Sequence, residues 1–586
     1  MCGIIAYKGK DDATNIVIDG LKKLEYRGYD SWGIATLDKD LNLHKEVGRI
    51  GEFNTDKLKL GKSFVALGHT RWATHGGVTI SNAHPQLDCK KEIIVVHNGI
   101  IENYQEIKQE LIKKGHKFSS ETDTEVIAHF IEENINLGIR SAVVKLAKTI
   151  EGRNAIVFFY KPTKQIFALK KGAPLVLGVS KQGYFVASDI PAFIEHTRNV
   201  IFLDDDEGVE INKGATIFNT KTGKDIDKKI EEVNWNFEQA KKGKYESFTI
   251  KEIMQQSETI RLAAVQDEDK IKELSSIIKE AYGSFLIGCG TASYAALLGT
   301  YYFSKIAKKH LNFVVASEFL DHQHFLTDKS LVIAVSQSGE TADILEAVET
   351  AKKHNAKIAC VVNVMGSSLM RKSDYPFLMR AGPEISVIST KAFTSQIAVL
   401  LLLAYVSANR LNEGKRLLEE TSEKIKGMLK PEFLKNIEEL AEKLKNKQHI
   451  YVIGKGSNYP IALETALKIK EMSYIHAEGF ASGELKHGVI ALIEKGTPCI
   501  AIVSNDEHKN DVLSGAIEIK SRGGSIIGIS PENNPAFDYW INVPDCGYAS
   551  PIVNTIPAQL LAHNLAKLLK RDLDKPRNLA KSVTVK

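Results

Sequence analysis

The second residue of the chain is a cysteine, and its place decides what chemistry it can do. A small residue after an initiator methionine permits methionine removal, which would leave Cys2 holding a thiol and a free α-amine together. Their unperturbed pKa values are roughly 8.5 and roughly 8, so near neutrality the amine can take the thiol's proton, directly or through a water. Downstream, polar residues gather where apolar runs end. Tyr26-Arg27-Gly28-Tyr29-Asp30-Ser31, His69-Thr70-Arg71-Trp72-Ala73-Thr74-His75-Gly76, His97-Asn98-Gly99 and Ser120-Glu121-Thr122-Asp123-Thr124-Glu125 are four such clusters. Singly, each has a local explanation: Asn98-Gly99 as a hairpin turn, Thr122 or Asp123 as a helix cap, Arg71 as a surface charge. Jointly they fit one task. A thiolate attacking a carboxamide needs donors for the oxyanion, which the Asn98 amide and the Gly99 backbone N–H can supply. A substrate with an α-carboxylate and an α-ammonium needs a guanidinium and a carboxylate, which Arg71 and Asp123 provide. The substrate so described is glutamine.

A second group of reactive types lies far along the chain. In Glu464-Thr465-Ala466-Leu467-Lys468-Ile469-Lys470-Glu471, Lys468 and Glu471 share one helix face. Alone, that spacing reads as a surface ion pair. Glu478 and Gly483-Glu484-Leu485-Lys486-His487-Gly488 follow closely, and a carboxylate beside an imidazole suits proton movement on a sugar. The terminal stretch, Pro576-Arg577-Asn578-Leu579-Ala580-Lys581-Ser582-Val583-Thr584-Val585, is too apolar for a frayed end. A lysine in such a setting can lose its proton and form a Schiff base with a ketose.

The elements that must position these groups fall into two styles. In the front third, Ile4–Tyr7, Gly33–Leu37, Phe64–His69, Glu92–His97, Ala155–Tyr160, Gln165–Lys170, Leu175–Ser180 and Gly183–Ser188 read as short strands. Ala13–Leu24 and Asn103–Lys114 read as helices. This is an α+β arrangement of antiparallel layers with helices outside. The rest is a repeat: Phe285–Gly290 answers to Tyr451–Gly456, Leu331–Ser336 to Cys499–Ser504, and Lys357–Val362 to Ser525–Ser530. The first two offsets are 166 residues (285 to 451) and 168 residues (331 to 499). Buried β-branched strands lead into Gly- or Ser-bearing turns and then helices, the βαβ pattern of a doubly wound parallel sheet.

Ligands of such sheets sit at the carboxyl ends of the strands. In the first copy those ends read Gly290-Thr291-Ala292-Ser293 and Ser336-Gln337-Ser338-Gly339-Glu340-Thr341, hydroxyls and backbone N–H groups fit to cradle a phosphate. Gly288-Cys289-Gly290 is not a dinucleotide fingerprint, because the third glycine position holds Ser293.

Composition bounds the rest. At 586 residues the chain needs several cores, and 43% hydrophobic with 25% charged residues is ordinary for a globular protein. A formal charge of +5, from 77 basic and 72 acidic residues, is too diffuse to argue for nucleic acid. The stretch 219–245 reads as a connector, its lysine-rich part 219–244 having only Trp235 and Phe237 as aromatic companions, and a helical pattern follows over Tyr245–Val265. The six cysteines show no CxxC pair and no metal-ligand spacing, which suits a reducing compartment. No signal sequence opens the chain, and the longest apolar run, Ile397–Ala404, is too short for a bilayer. A cytoplasmic location is expected.

Two resemblances sharpen these readings. Residues 2–218 resemble the glutaminase domain of N-terminal-nucleophile (class II) glutamine amidotransferases, through Cys2-Gly3-Ile4, Arg27-Gly28-Tyr29-Asp30, the His69–Gly76 run, His97-Asn98-Gly99 and Glu121-Thr122-Asp123. The resemblance implies Cys2 as nucleophile, Asn98 and Gly99 as oxyanion hole, and Arg71 and Asp123 at the glutamine ends. It makes Trp72 an ammonia gate. The repeats resemble sugar isomerase (SIS) domains, over 246–411 and 448–575, joined by a charged helical segment at 412–447; the Ser336–Thr341 run is their most specific piece. One departure is Ala292, where relatives commonly carry serine; either one hydroxyl is missing or Ser293 replaces it.

Together, a glutaminase, two SIS units and the tail 576–586 resemble the isomerising glutamine:fructose-6-phosphate aminotransferases. That resemblance implies Glu471, His487, Lys581 and Lys468 as catalytic. It gives Thr291, Ser336, Gln337, Ser338 and Thr341 the phosphate, and Val387 and Ala580 the sugar pocket. It implies a homodimer with shared isomerase sites, glutamine and fructose 6-phosphate as substrates, no metal or organic cofactor, no nucleic acid and no membrane. The competing reading is a phosphosugar-sensing SIS protein with a vestigial glutaminase. No acidic-pair phosphoribosyl loop and no SGGxDS pyrophosphate loop follows the front domain.

Overall fold

Continuous apolar strands need both faces covered, and the front of the chain covers them with four layers. The computed structural model describes residues 2–54, 58, 60–233 and 241–584. The chain divides into two compact units, one holding residues up to 233 with 580–584, the other holding 241–579. Trp235, Phe237 and Val585 lie outside the described residues.

The first unit contains two antiparallel sheets. The eight-stranded one runs Glu231–Glu232, Asn199–Phe202, Val176–Val179, Gly183–Ala187, Gly3–Gly9, Val65–Arg71, Ser31–Leu37, Leu41–Val47. The seven-stranded one runs Asp225–Ile226, Ala215–Asn219, Glu207–Ile211, Gln165–Lys171, Asn154–Tyr160, Ile93–Gly99, Gln86–Leu87. Alternation along Ile93–Gly99 explains the layering. Ile94 and Val96 enter the core between the sheets with Ile4, Ala35 and Leu67, while Ile93 and Val95 face helices with Ile107, Val126 and Leu146. Helix Ala13–Leu24 covers the other sheet, capped by Asp12, whose carboxylate accepts from Thr14 N.

Two outcomes differ from sequence expectation. Residues 219–233 are more than a connector, because Asp225–Ile226 and Glu231–Glu232 add edge strands to the two sheets. Two of their lysines are paired, Lys221 with Asp206 at 2.5 Å and Lys228 with Asp204 and Glu207 at 2.6 Å each. The helical pattern at Tyr245–Val265 is divided at Gln255 into Phe248–Met254 and Gln256–Ala263.

In the second unit the repeat is reproduced strand for strand. One parallel sheet is ordered Asn312–Val315, Phe285–Gly288, Leu331–Ser336, Lys357–Val362, Tyr375–Leu378. The other is ordered His476–Ala481, His449–Gly454, Pro498–Ile502, Ser525–Ser530, Tyr539–Asn542. In both, chain order places the second strand at the edge and the third beyond the first, so strand order reverses between first and third. That reversal opens a crevice for ligand. Helix Lys391–Ser407, buried at all 17 positions, is the common core against which the first copy's helices pack. It contains the long apolar run, and no helix among the described residues is long and apolar enough to cross a membrane. The charged segment after it forms helices Leu411–Met428 and Pro431–Leu444, whose apolar stripes (Leu418, Ile425, Ile437, Leu440) join the same core.

Leu401 lies at the middle of this helix with no exposure. Leu401→Ala is expected to cost about 2–5 kcal/mol of unfolding free energy. A urea midpoint that barely moves would mean the helix is not the core described.

Candidate active sites

Antiparallel register brings the first reactive group to its neighbours. Strand Gly3–Gly9 pairs Gly3 with Thr70 and Ile4 with His69, so Cys2 emerges beside the carboxyl end of Val65–Arg71. There the Trp72 backbone N–H donates to Cys2 Sγ at 3.2 Å. The Asn98 side chain donates from Nδ2 to the Cys2 carbonyl at 3.0 Å, and Arg27 Nε donates to the same oxygen at 3.3 Å. Burial pushes the Cys2 thiol up, while the Trp72 N–H and the Arg71 and Arg27 charges pull it back.

Asn98 is held in one orientation. His69 Nε2 lies 3.1 Å from Asn98 Oδ1 and 3.0 Å from the His97 carbonyl. Burial lowers the His69 pKa to about 3, so the ring is neutral, and an N–H on Nε2 faces those two acceptors with His84 Nδ1 at 3.3 Å. The amide oxygen is thereby occupied, and Nδ2 is left to face the cysteine. Asn98-Gly99 is not a hairpin turn; it ends a strand that pairs Gly99 with Asn154. Gly99 has φ +129°, and a Cβ there would lie 2.0 Å from the Arg153 carbonyl, so only glycine fits.

Arg71 and Asp123 are both buried, which removes their surface readings. Arg71 donates to the carbonyls of His75 at 2.5 Å, Gly76 at 3.0 Å and Gly77 at 3.1 Å. Asp123 caps no helix: its Oδ2 accepts from Ile101 N at 2.9 Å, and helix Glu125–Asn134 starts with no side-chain cap. The Tyr26–Ser31 turn also has its explanation. Asp30 accepts from Ala73 N at 2.9 Å, and Asp189 receives Tyr26 Oη at 2.5 Å and Arg27 at 3.0 Å. Trp72 is half-buried and meets Tyr29 edge-on.

In the second unit, the switch-point crevice is lined by the two predicted loops. Helix Thr291–Tyr302 starts after Gly290 at φ +53°, and helix Ala342–Lys353 starts after Thr341. Ser336 Oγ accepts from Gly339 N at 3.0 Å, and Ser338 Oγ from Glu340 N at 3.2 Å, which ties the loop to itself. Thr341 makes no side-chain cap bond, which leaves its hydroxyl for a ligand. Ala292 is buried, and Ser293 donates to the Gly290 carbonyl at 2.6 Å, so Ser293 spends its proton inside the loop and does not replace the missing hydroxyl.

Thr291 then joins the two copies. Its hydroxyl accepts from Lys468 Nζ at 3.0 Å and donates to Glu464 Oε1 at 3.4 Å. Lys468 is fully buried and also binds Glu471, with Glu464 at 3.5 Å. The Lys468–Glu471 spacing is therefore no surface pair. In the second copy the matching crevice is filled from within. Asn458 donates to Ser504 Oγ at 2.9 Å, and Asn554 donates to Asn458 Oδ1 at 3.0 Å and to Ser504 Oγ at 3.1 Å.

Comparison with known proteins now bears directly on these sites. The glutamine amidotransferase domain family model matches residues 55–234, and the SIS domain model matches twice, at 277–406 and 443–567. Curated relatives named glutamine–fructose-6-phosphate aminotransferase (isomerizing) from Thermococcus kodakarensis and Thermotoga maritima are 43% and 42% identical, each aligned over 100% of both chains. The chain belongs to this aminotransferase family. Among solved structures, the C-terminal domain of glucosamine-fructose-6-phosphate aminotransferase from Francisella tularensis is 34% identical with TM-score 0.52, covering 57% of this chain and 99% of that one.

For a member of the aminotransferase family, the remaining predicted residues are spread out. Val387 is buried, and its N–H donates to the Asp574 carbonyl at 2.9 Å, so residues just before the tail are tied to the first SIS copy. His487 is exposed on the turn Ser482–His487. Ala580 and Lys581 fall in the first unit, whereas Glu471 and His487 fall in the second. Sequence reasoning passed over His69, Arg27 and Glu464. A histidine facing an Asn-Gly across two strands, and a glutamate four residues before a suspect lysine, were the available signals.

Burial raises the Glu464 carboxyl to about 8, although the Lys468 charge opposes it. Lys468 stays an ammonium: burial acts against its charge, but Glu464 and Glu471 outweigh that.

Two variants test these sites. Asn98→Ala is expected to lower kcat for glutamine hydrolysis about 10²–10³-fold with KM little changed; a loss below about tenfold in glutamate release would remove Asn98 from the oxyanion role. A carboxyl raised on folding stabilises below its unfolded pKa, and that contribution is lost as pH rises from 4.5 towards 8. Glu464→Gln, neutral throughout, should therefore show a smaller fall in Tm over that range than the wild type. Equal falls would show that Glu464 does not titrate there.

Proposed function

We infer that the chain converts L-glutamine and D-fructose 6-phosphate into D-glucosamine 6-phosphate and L-glutamate. The observation that carries this reading is the Lys468–Thr291 hydrogen bond, which joins a phosphate-type loop to a buried lysine–carboxylate cluster. The same chain keeps a thiol flanked by an oriented amide, a buried guanidinium and a buried carboxylate. A phosphosugar sensor would need none of the second set.

Cys2, freed of Met1, attacks the side-chain amide of glutamine, and the amide nitrogen leaves as ammonia once the tetrahedral oxyanion, held by Asn98 and Gly99, collapses to a thioester. Water then releases glutamate. Arg71 and Asp123 hold the α-carboxylate and α-ammonium, and Trp72 gates the ammonia. At the isomerase site Thr291, Ser336, Gln337, Ser338 and Thr341 hold the phosphate, with Val387 and Ala580 against the sugar. His487 protonates the ring oxygen during ring opening. Its exposure on its own chain supports service to a neighbouring subunit of a homodimer. Lys581 forms an imine at C2 and ammonia displaces it. Glu471 moves a proton from C1 to C2, with Lys468 fixing its carboxylate. These steps call for no metal or organic cofactor, and a phosphosugar substrate and an amino-sugar product suit a cytoplasmic enzyme of amino-sugar synthesis.

Purified protein given both substrates should yield glucosamine 6-phosphate, and Cys2→Ala should yield none from glutamine. Glutamate released without amino sugar would sink the sugar assignment while sparing the front unit, with Ala292 the first residue to restore to serine.

A further inference from the structure

Away from the glutaminase pocket, three segments meet at Cys89, His116, His129 and Glu132. One ligand atom from each lies within 4.8 Å of every other. Cys89 Sγ is 3.8 Å from His116 Nδ1 and 3.6 Å from His129 Nδ1. Glu132 Oε2 is 3.2 Å from His116 Nδ1 and 3.5 Å from His129 Nδ1. Tetrahedral zinc with bonds of about 2.3 Å to sulfur and about 2.0–2.1 Å to nitrogen and oxygen sets ligand edges of about 3.5 Å for S···N and about 3.4 Å for N···O. The four sulfur–nitrogen and oxygen–nitrogen separations, 3.2–3.8 Å, lie within a few tenths of an ångström of those edges.

Proton count points the same way. Each imidazole has a carboxylate at both nitrogens: His129 Nε2 lies 3.5 Å from Glu125 Oε1, and His116 Nε2 lies 3.3 Å from Glu133 Oε2. A neutral imidazole has one N–H and can serve only one of them. His116 Nε2 is hydrogen-bonded to Glu133, His129 Nε2 faces Glu125, and both Nδ1 atoms border a pocket that also holds a sulfur and a carboxylate. A cation there satisfies all four, and a carboxylate behind each histidine is the usual outer partner of a metal ligand. Glu125 is itself fixed, accepting from the backbone N–H groups and hydroxyls of Ser119 and Ser120 at 2.7–2.9 Å. The Lys117 N–H faces Cys89 Sγ at 3.5 Å, a donor for a thiolate.

We propose that Cys89, His116, His129 and Glu132 bind a zinc ion as a closed, structural site. Thiolate with imidazole selects a borderline-soft divalent ion over calcium or magnesium, and four protein ligands leave no open position for chemistry. The ion ties the loop entering strand Ile93–Gly99, which carries Asn98, to helix Glu125–Asn134, which follows Asp123. It thus positions both without touching substrate. His129 is buried and Glu132 half-buried, whereas Cys89 is exposed, which gives the ion a path from solvent.

The test uses full-length protein purified without chelator, dialysed, and analysed for metals by mass spectrometry. Equimolar zinc is expected in the wild type and its loss in Cys89→Ser, with folding checked by circular dichroism. Glu133→Gln, which keeps every ligand, is expected to weaken zinc binding about tenfold. Cobalt substitution of the wild type should give a thiolate charge-transfer band and intense tetrahedral ligand-field bands, a readout that holds even if Cys89→Ser fails to fold. No metal bound after incubation with zinc, zinc retained equally by Cys89→Ser, or a cobalt form without the thiolate band would each overturn the proposal.

Discussion

One hydrogen bond crosses between the sheets of the first unit and decides what the thiol can do. His69 belongs to the eight-stranded sheet and Asn98 to the seven-stranded one. Because the imidazole is buried and neutral, it has a single N–H, and the amide oxygen of Asn98 lies in its path. In the proposed attack on glutamine, a freely rotating amide would offer oxygen or nitrogen to the developing oxyanion in turn, and the oxygen would repel it. Fixing the donor end is worth as much as having the donor, since preorganised dipoles cost no reorganisation during reaction. The sandwich's register, its inner core and the cramped glycine beside Asn98 all serve that alignment.

The second unit depends on a comparable economy of charge. A buried ammonium is costly unless paired, and Lys468 has two carboxylates and a hydroxyl around it. Two carboxylates sharing one cation are not equivalent in depth: Glu464 is fully buried, while Glu471 retains partial exposure. Burial, with the Glu471 charge adding to it, makes Glu464 a weaker acid than an ordinary carboxyl. Thr291 belongs to the first SIS copy and so couples the phosphate loop to this trio through one hydroxyl.

Much of this was legible in the sequence for reasons that can be named. Strands alternate or run apolar according to how many faces they bury, so Gly183–Ala187 and Leu331–Ser336 were plain, as was the internal repeat. Local capping logic misled at Asp123, because its partner, Ile101 N, comes from a loop that folding alone brings near. Edge strands of two residues, such as Asp225–Ile226, carry no periodicity to read. Spacing rules for metal ligands require ligands close in sequence, and Cys89, His116 and His129 belong to three segments joined only by tertiary structure. Glu464 was hidden for a different reason: its significance is its depth, and helix spacing fixes direction without fixing depth.

The filled crevice of the second SIS copy has a consequence for how the repeat works. Two copies of one topology create two sheet-end crevices, and their linings differ: the first carries the Ser336–Thr341 loop, in which Thr341 makes no side-chain cap bond. In the other, Asn458 and Asn554 sit on Ser504 as permanent tenants, holding the place an anion would take. The protein thus acts as its own resident competitor at one of two kindred seats. In the proposed reaction, duplication becomes division of labour, with one copy assigned the ligand's phosphate and the other lending its helix to the chemistry.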